Sequence, residues 1–339
     1  MNILITGGLG VNGCWVTRLL VEQGHRPIIL DQRNDVTLLP DLTNRFELVV
    51  GDLLDQQLIR ETLIEHRVQR ICHLAAIYPE AADADPVLGF EVNALGTVYL
   101  LEAARAASVE RVVFTSSIAA LSRIDGDAGS ESPFLIDESH PAYPSHGGVY
   151  GATKVASELM GQVYERLHDL EFVALRFSGI FGPGKGQSRH GNYGLKWTQL
   201  VENAFAGLPS KVALDVDRPQ DMIYARDVAR AVVLAVTAAS NRLISRVFHI
   251  GSGRGYTMRD FVNGVRRAIP EAVIEEDEKL DGHGVASPST LLTARKRPSF
   301  VFDINRARAE LGYEPHFTME TAIQDWVESL HWMESPPVK

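Results

Sequence analysis

Tyr150 and Lys154 stand four positions apart in VYGATKVASE (149–158), a stretch that reads as the start of a helix. At i and i+4 they share one helical face. A phenol with a pKa of about 10 is a poor base near neutrality. A neighbouring ammonium favours the phenolate, and the pair then becomes an acid/base for a hydroxyl proton. A third group could hydrogen-bond a substrate oxygen as charge develops on it. Ser117 is the choice for that role and Ser116 the alternative, at the end of RVVFTSS (111–117). The Tyr-x-x-x-Lys spacing also recurs by chance, so the competing reading is two ordinary residues on one helix face. The elements around the pair must decide.

Those elements alternate. NILIT (2–6), RPIIL (26–30), FELVV (46–50), RICHLA (70–75), RVVFTS (111–116) and FVALRF (172–177) read as buried strands, with amphipathic stretches such as VNGCWVTRLLVEQG between them. Apolar strands alternating with helices predict an α/β chain with a Rossmann-type, doubly wound parallel sheet. FHIGSG (248–253) reads as one more strand returning to it. Beyond residue 178 the rhythm breaks, and the glycine-rich 181–194 and the acidic 275–290 read as loops. The expected division is a sheet domain over 1–178 with a returning segment near 221–252. A smaller α/β substrate domain, made of 179–220 and 253–339, is interleaved with it.

The first strand runs into Gly7, Gly10 and Gly13 in a G-x-x-G-x-x-G frame. Glycines there permit a tight turn and bring a helix N-terminus up to a pyrophosphate. Asp31 ends the second strand, 18 residues past Gly13, where an acid meets ribose hydroxyls and repels a 2′-phosphate. This predicts NAD over NADP, with Arg33 as the one residue arguing otherwise. Asp52 could meet the adenine amino group, and the small residues of HLAA (73–76) let a flat ligand lie across the strand tips. The residues expected along that ligand are Val11, Asn12, Gln32, Leu53, Leu74, Ala75, Ala76, Thr115, Phe177, Gly179 and Ile180, besides Tyr150 and Lys154.

As an ordered set, TGGLGVNG, Asp31, GDLLD, HLAA, NALGTVYLLEAAR, FTSSIAA, YGATK, LRFSGIFGPG, DMIYARDVARA, FHIGSG and RP…LGYEP resemble the extended short-chain dehydrogenases/reductases, the NAD-dependent epimerase/dehydratase family. The resemblance covers nearly the whole chain. It implies that Ser117 polarises the substrate oxygen, that Tyr150 is the acid/base, and that Lys154 binds the nicotinamide ribose and lowers the tyrosine pKa. It places Asn93 close to the nicotinamide end and implies a homodimer paired through the helices after Asn93 and Tyr150. Val155, Leu159 and Val163 could serve that pairing or pack on the protein's own sheet.

Departures from the family pattern bear on the substrate. Dehydrating members carry an Asp-Glu pair after the catalytic hydroxyl. Here Ile118, Ala119 and Ala120 follow, which disfavours a 4,6-dehydratase. Members acting on nucleotide sugars read LRxxN after the sixth strand and carry an arginine before the aspartate of a later one. Here Gly179 and Gln220 hold those places. Arg218, Arg297 and Lys196 are the remaining candidates for substrate charge. Charge-assisted bonds are the strong ones, so their loss favours a smaller substrate. The expectation is an NAD-dependent epimerase of a sugar or nucleotide sugar. The alternative is a dehydrogenase of a free sugar, sugar acid, hydroxy acid or amino acid. A non-enzymatic NAD-binding sensor would be expected to have lost Tyr150 or Lys154. His140 and His146 could line the pocket, and no histidine pair has metal-binding spacing.

The chain is 45% hydrophobic and 22% charged with a formal net charge of −10. That balance weighs against a nucleic-acid partner. Cys14 and Cys72 form no C-x-x-C pair, which fits a reducing cytoplasm. No apolar run in the sequence approaches the roughly 18–20 residues of a membrane span, and MNILITGG enters a strand pattern without a basic stretch or cleavage site, so no leader is expected. A soluble, cytoplasmic enzyme is expected.

Overall fold

The computed structural model describes residues 1–122, 133–143, 147–184, 195–213, 219–277 and 299–334. Its main sheet holds seven parallel strands: β1 (Asn2–Thr6), β2 (Arg26–Asp31), β3 (Glu47–Val50), β4 (Arg70–His73), β5 (Arg111–Ser117), β7 (Glu171–Phe177) and β11 (Val247–Ile250). The spatial order is β11-β7-β5-β4-β1-β2-β3. These are the six strands and the returning seventh expected from sequence. The order reverses between β1 and β4, and open α/β sheets bind ligands beyond the strand tips at such a point.

Both sheet faces are covered. Ile3, Leu4 and Ile5 of β1 are fully buried, since alternate residues feed two separate apolar cores. Helix α1 (Val11–Glu22) packs with α8 (Ala225–Thr237) on one face. On the other, α2 (Gln56–Glu65), α5 (Gly96–Ala106) and α6 (Gly148–His168) lie side by side. Arg111 is wholly buried at the start of β5 and donates to the carbonyls of Ala235 and Ala238 at the end of α8. A cation there is favoured by the helix dipole.

Short helices α3 (Pro79–Ala84) and α4 (Pro86–Phe90) precede α5, and a π-turn (Glu91–Leu95) joins α4 to α5. Contrary to the sequence reading, the run Pro86–Ala106 is by length and composition long and apolar enough to cross a membrane, yet 56% of its apolar window is buried inside this fold.

Smaller sheets complete the architecture. β8 (Gly179–Phe181), β10 (Gln220–Tyr224) and β12 (Gly255–Tyr256) form one; β9 (Ser210–Ala213) pairs with β13 (Ile274–Asp277), and β6 (Phe134–Ile136) with β14 (Phe300–Phe302). The acidic loop expected from 275 onward therefore begins as a strand. A third core joins β8, β10, α7 (Leu195–Phe205), α9 (Met258–Ala268) and α10 (Met319–Glu334) around Phe181, Phe261 and Trp326. Asp221 stitches this part to the main sheet. Buried, it accepts from Ser178 Oγ, from the Ser252 amide and hydroxyl, and from the Phe302 amide.

Candidate active site

The turn after β1 is built from glycines that have no room for a side chain. Gly7 has a φ of +69°, and a Cβ there would lie 3.0 Å from the Ala75 backbone. A Cβ on Gly13 would lie 2.2 Å from the Gly7 carbonyl oxygen. Helix α1 thus starts hard against the turn, with Gly10 as its N-cap and no side chain capping it. Free amides and the dipole at such an end favour an anion.

Asp31 closes the rim of this cradle. Its Oδ2 accepts the Leu9 amide at 3.1 Å and its Oδ1 the Arg33 amide at 3.2 Å. The Arg33 guanidinium stands 3.9 Å from the same carboxylate and is largely exposed. Gln32 donates to Asp52 Oδ2 at 2.9 Å, which brings Asp52 to the same rim, and Asp52 Oδ1 accepts the Leu54 amide. Leu74, Ala75 and Ala76 follow β4 and are partly exposed. The side chains of Leu53 and Phe177 are buried in the core. Val11 is buried at the start of α1, whereas Asn12, Thr115 and Ile180 are half-buried.

Beneath the cradle lies a polar chain that the sequence did not suggest. His73 is buried, with Nδ1 2.7 Å from Thr6 Oγ1 and Nε2 2.9 Å from Thr97 Oγ1. Thr97 gives its own proton to the Asn93 carbonyl, so it accepts from His73 Nε2–H, and Nδ1 accepts from Thr6. Burial, together with the nearby Lys154 charge, pushes the His73 pKa down to about 3. The ring is neutral and locks β1, β4 and α5 together.

At the tip of β5, Ser117 Oγ accepts the Ala119 amide at 3.1 Å, opening a single 3-10 turn over Ile118–Ala120. A hydroxyl that accepts in this way keeps its own proton to give. The N-terminus of α6 packs on that turn through Gly147 and against Asp83 of α3 through Gly148. A Cβ at Gly147 would lie 2.1 Å from the Ala119 carbonyl oxygen, and Gly148 has a φ of +57° beside the Asp83 carboxylate. Asp83 accepts the Val149 amide at 2.9 Å. These contacts fix the first turn of α6, which carries Tyr150. Sequence reasoning passed over all three residues, although HGGVY just ahead of the helix was a signal.

Lys154, one turn further along, is buried. Its Nζ donates to the Thr115 carbonyl at 2.7 Å and lies over the rings of Phe114 and Tyr150, at 4.6 and 5.3 Å. Burial pushes its pKa down to about 7, against an opposing pull from Glu158. Ser116 is buried and donates to Glu158, whose carboxylate also takes a two-pronged bond from Arg176. That commits Ser116 to the interior and leaves Ser117 as the half-buried hydroxyl beside α6.

Asn93 was expected near the reacting end. In the structure its Oδ1 accepts the Ile77 amide at 2.7 Å and its Nδ2 donates to the Ile77 carbonyl at 2.9 Å. One bond at each end of the amide holds the chain after β4, so Asn93 positions that segment. Gly179 also gains a reason. A Cβ there would lie 2.5 Å from Met222 Sδ, so the thioether fills the space that a side chain at 179 would need. Gln220, exposed, opens β10. His140 lies 3.1 Å from the Ser122 hydroxyl. Lys196 sits in the first turn of α7, with its side chain outside the described residues. Arg218, Arg297 and His146 lie outside them altogether.

The chain is similar to known proteins along nearly its whole length. A UDP-glucose 4-epimerase of Mycolicibacterium smegmatis is 30% identical over 333 residues, covering 97% of this chain and 98% of that protein. A D-erythronate dehydrogenase of Cupriavidus necator is 27% identical over 285 residues, covering 81% and 84%. Among solved structures, the Thermus thermophilus UDP-glucose 4-epimerase in complex with NAD superimposes with a TM-score of 0.77 at 25% identity, covering 99% and 100%. Residues 3–251 match the family described as NAD dependent epimerase/dehydratase, and the chain belongs to that family.

Proposed function

We propose that this protein is an NAD-dependent epimerase of a sugar or nucleotide sugar, with Ser117, Tyr150 and Lys154 as its catalytic set. The observation that carries the reading is the buried Lys154 beneath the Tyr150 ring, on a helix start packed against the turn that Ser117 opens. NAD fits the residues present: a glycine cradle with no room for Cβ atoms, an uncapped helix N-terminus, and Asp31 at the rim. When bound, NAD supplies a hydride acceptor next to the substrate carbon.

The chain's own residues handle the proton and the orientation. Tyr150 takes the proton from the substrate hydroxyl, and the Lys154 ammonium favours the phenolate it leaves. Ser117 gives a hydrogen bond to the same oxygen as its charge changes. The Thr115 carbonyl holds one proton of Lys154 Nζ, which leaves two for ribose hydroxyls. Gly7, Gly10 and Gly13 bring the main chain up to the diphosphate, and Asp31 takes the adenosine ribose.

A second reading, dehydrogenation of a small hydroxy acid or sugar, is favoured by one feature. Met222 occupies the space beside Gly179 where a polar side chain would serve a nucleotide-sugar diphosphate. The D-erythronate dehydrogenase relative gives that reading a precedent. Incubating the purified protein with UDP-glucose or UDP-galactose tests the two. Interconversion of the pair, lost on the order of 100-fold or more in Tyr150→Phe, supports the epimerase. No interconversion, with NADH formed from small hydroxy compounds, supports the dehydrogenase.

Two further expectations belong to the same proposal. A homodimer fits Val87 and Phe90 on α4 and Leu159 and Leu167 on α6, all more than half exposed on helices that pack together. Leu159 therefore does not pack on the protein's own sheet. A cytoplasmic setting fits two free cysteines, Cys14 and Cys72, both buried, with burial raising both thiols. A nucleic-acid partner has no support in a chain of net charge −10.

A further inference from the structure

Glu158 lies two turns beyond Tyr150 and one beyond Lys154, on the same face of α6. It is buried, and two strands converge on it. Arg176 of β7 donates from Nε at 3.0 Å and from Nη2 at 2.6 Å, and Ser116 of β5 donates its hydroxyl. Ser116 is the direct neighbour of Ser117. One carboxylate therefore ties the strand that carries the substrate-facing hydroxyl to the helix that carries the phenol and the ammonium.

We propose that Glu158 is a positioning residue for the acid/base pair: one turn along α6, its carboxylate favours the ammonium form of Lys154 and, through Ser116, holds the tip of β5 against α6. The proposal rests on the reading of Tyr150 and Lys154 as the catalytic pair. Lys154 is shut away from water among groups that do little to hold a charge. His73 of β4 is neutral, Phe114 and Tyr150 offer ring faces, and Thr115 offers one carbonyl. Among the described charged groups acting on it, Glu158 favours the cation, and burial opposes it. Arg176 is the other charge in the cluster and sits on the far strand β7, bonded to Glu158. An unpaired buried carboxylate would itself be untenable, so Arg176 makes Glu158 possible there.

A merely structural ion pair would stabilise the fold without setting the protonation of Lys154, and that difference is measurable. Glu158→Gln alone strands the Arg176 guanidinium, so the test variant is Glu158→Gln combined with Arg176→Gln, which removes both charges. The Lys154 side chain is titrated by NMR in the protein freed of dinucleotide, with Lys154→Met identifying its signal. The midpoint in the double variant is expected to fall by about one pH unit or more, a tenfold change in the protonation equilibrium. The alkaline limb of kcat/KM is expected to move with it. Glu158→Asp keeps the charge and the pair but draws the carboxylate back, and a smaller downward shift is expected. An unchanged midpoint in both variants overturns the proposal. Because the titration is read without substrate, it stands apart from the catalytic reading, which fails instead if Tyr150→Phe leaves turnover intact.

Discussion

Gly147 faces the carbonyl oxygen of Ala119 so closely that a Cβ would come within 2.1 Å of it. This contact sets the distance between the turn opened by Ser117 and the helix carrying Tyr150. Gly147→Ala must push α6 away from the β5 tip. A misplacement of about 1 Å can cost on the order of 100-fold in rate. A fall of that size in kcat/KM is expected, while dinucleotide affinity, set at α1, changes far less. Steady-state kinetics beside NAD titration calorimetry checks the split.

The cradle behaves in the opposite way. Gly13→Ala drives a methyl into the Gly7 carbonyl, and Asp31→Asn removes the charge that accepts the Leu9 and Arg33 amides. Both are expected to weaken NAD binding at least about tenfold, or about 1.4 kcal/mol. Asp31→Asn should also narrow the preference for NAD over NADP, because Arg33 then stands beside a neutral side chain. Competition titrations with both dinucleotides measure it.

Two neutral histidines give the fold an acid-sensitive limb. Burial is the main cause that pushes both His73 and His249 down to about 3, from an ordinary 6.5. Between those values the unfolded chain binds protons that the native state refuses. The contribution is therefore complete above pH 6.5 and is lost as pH falls toward 3. Each histidine adds a slope approaching about 1.4 kcal/mol per pH unit within that window. Asp221, Asp227 and Glu138, raised by burial, work in the opposite sense nearer the carboxylate range. Urea unfolding from about pH 6.5 down to 5 should show stability falling with acid, and a flat profile there would contradict the neutral-histidine network.

Met222 makes a prediction about substrate. Gly179→Asn should cost about 1–3 kcal/mol of stability through overpacking against the thioether, and Met222→Ala in the same chain should recover most of it. Should the natural substrate be a nucleotide sugar, the double variant gains affinity for UDP. If it is a small hydroxy compound, the double variant loses turnover without that gain. Thermal unfolding and UDP binding read the two effects separately.

The inner strands were legible because strands buried on both faces must be apolar along their whole length, as Ile3–Ile5 and Val112–Phe114 are; β3 was found by its apolar run but, as the edge strand, is not buried as expected, and Val50 is more than half exposed. Gly7, Gly13 and Asp31 were legible because a turn with no space for Cβ atoms leaves a fixed residue pattern. The short strands were not. Phe134–Ile136 pairs with Phe300–Phe302 across more than 160 residues of chain, and three residues carry no periodicity. Ile274–Asp277 reads as a solvated acidic run because its partner is a two-stranded edge. Glu158 stood inside the first stretch considered, yet a charge on a helix ordinarily faces water. Only Arg176, arriving from β7, makes its burial sensible. Asn93 was seen, but its use against the Ile77 backbone depends on the path of the chain after β4.

The central claim is most directly tested by denaturing freshly purified protein and quantifying the dinucleotide released per chain. Close to one NAD per chain, resisting dialysis, is the predicted result, because an epimerase returns its substrate to the starting oxidation level without exchanging its cofactor. An empty protein that binds NAD reversibly and forms NADH in proportion to substrate consumed would contradict it.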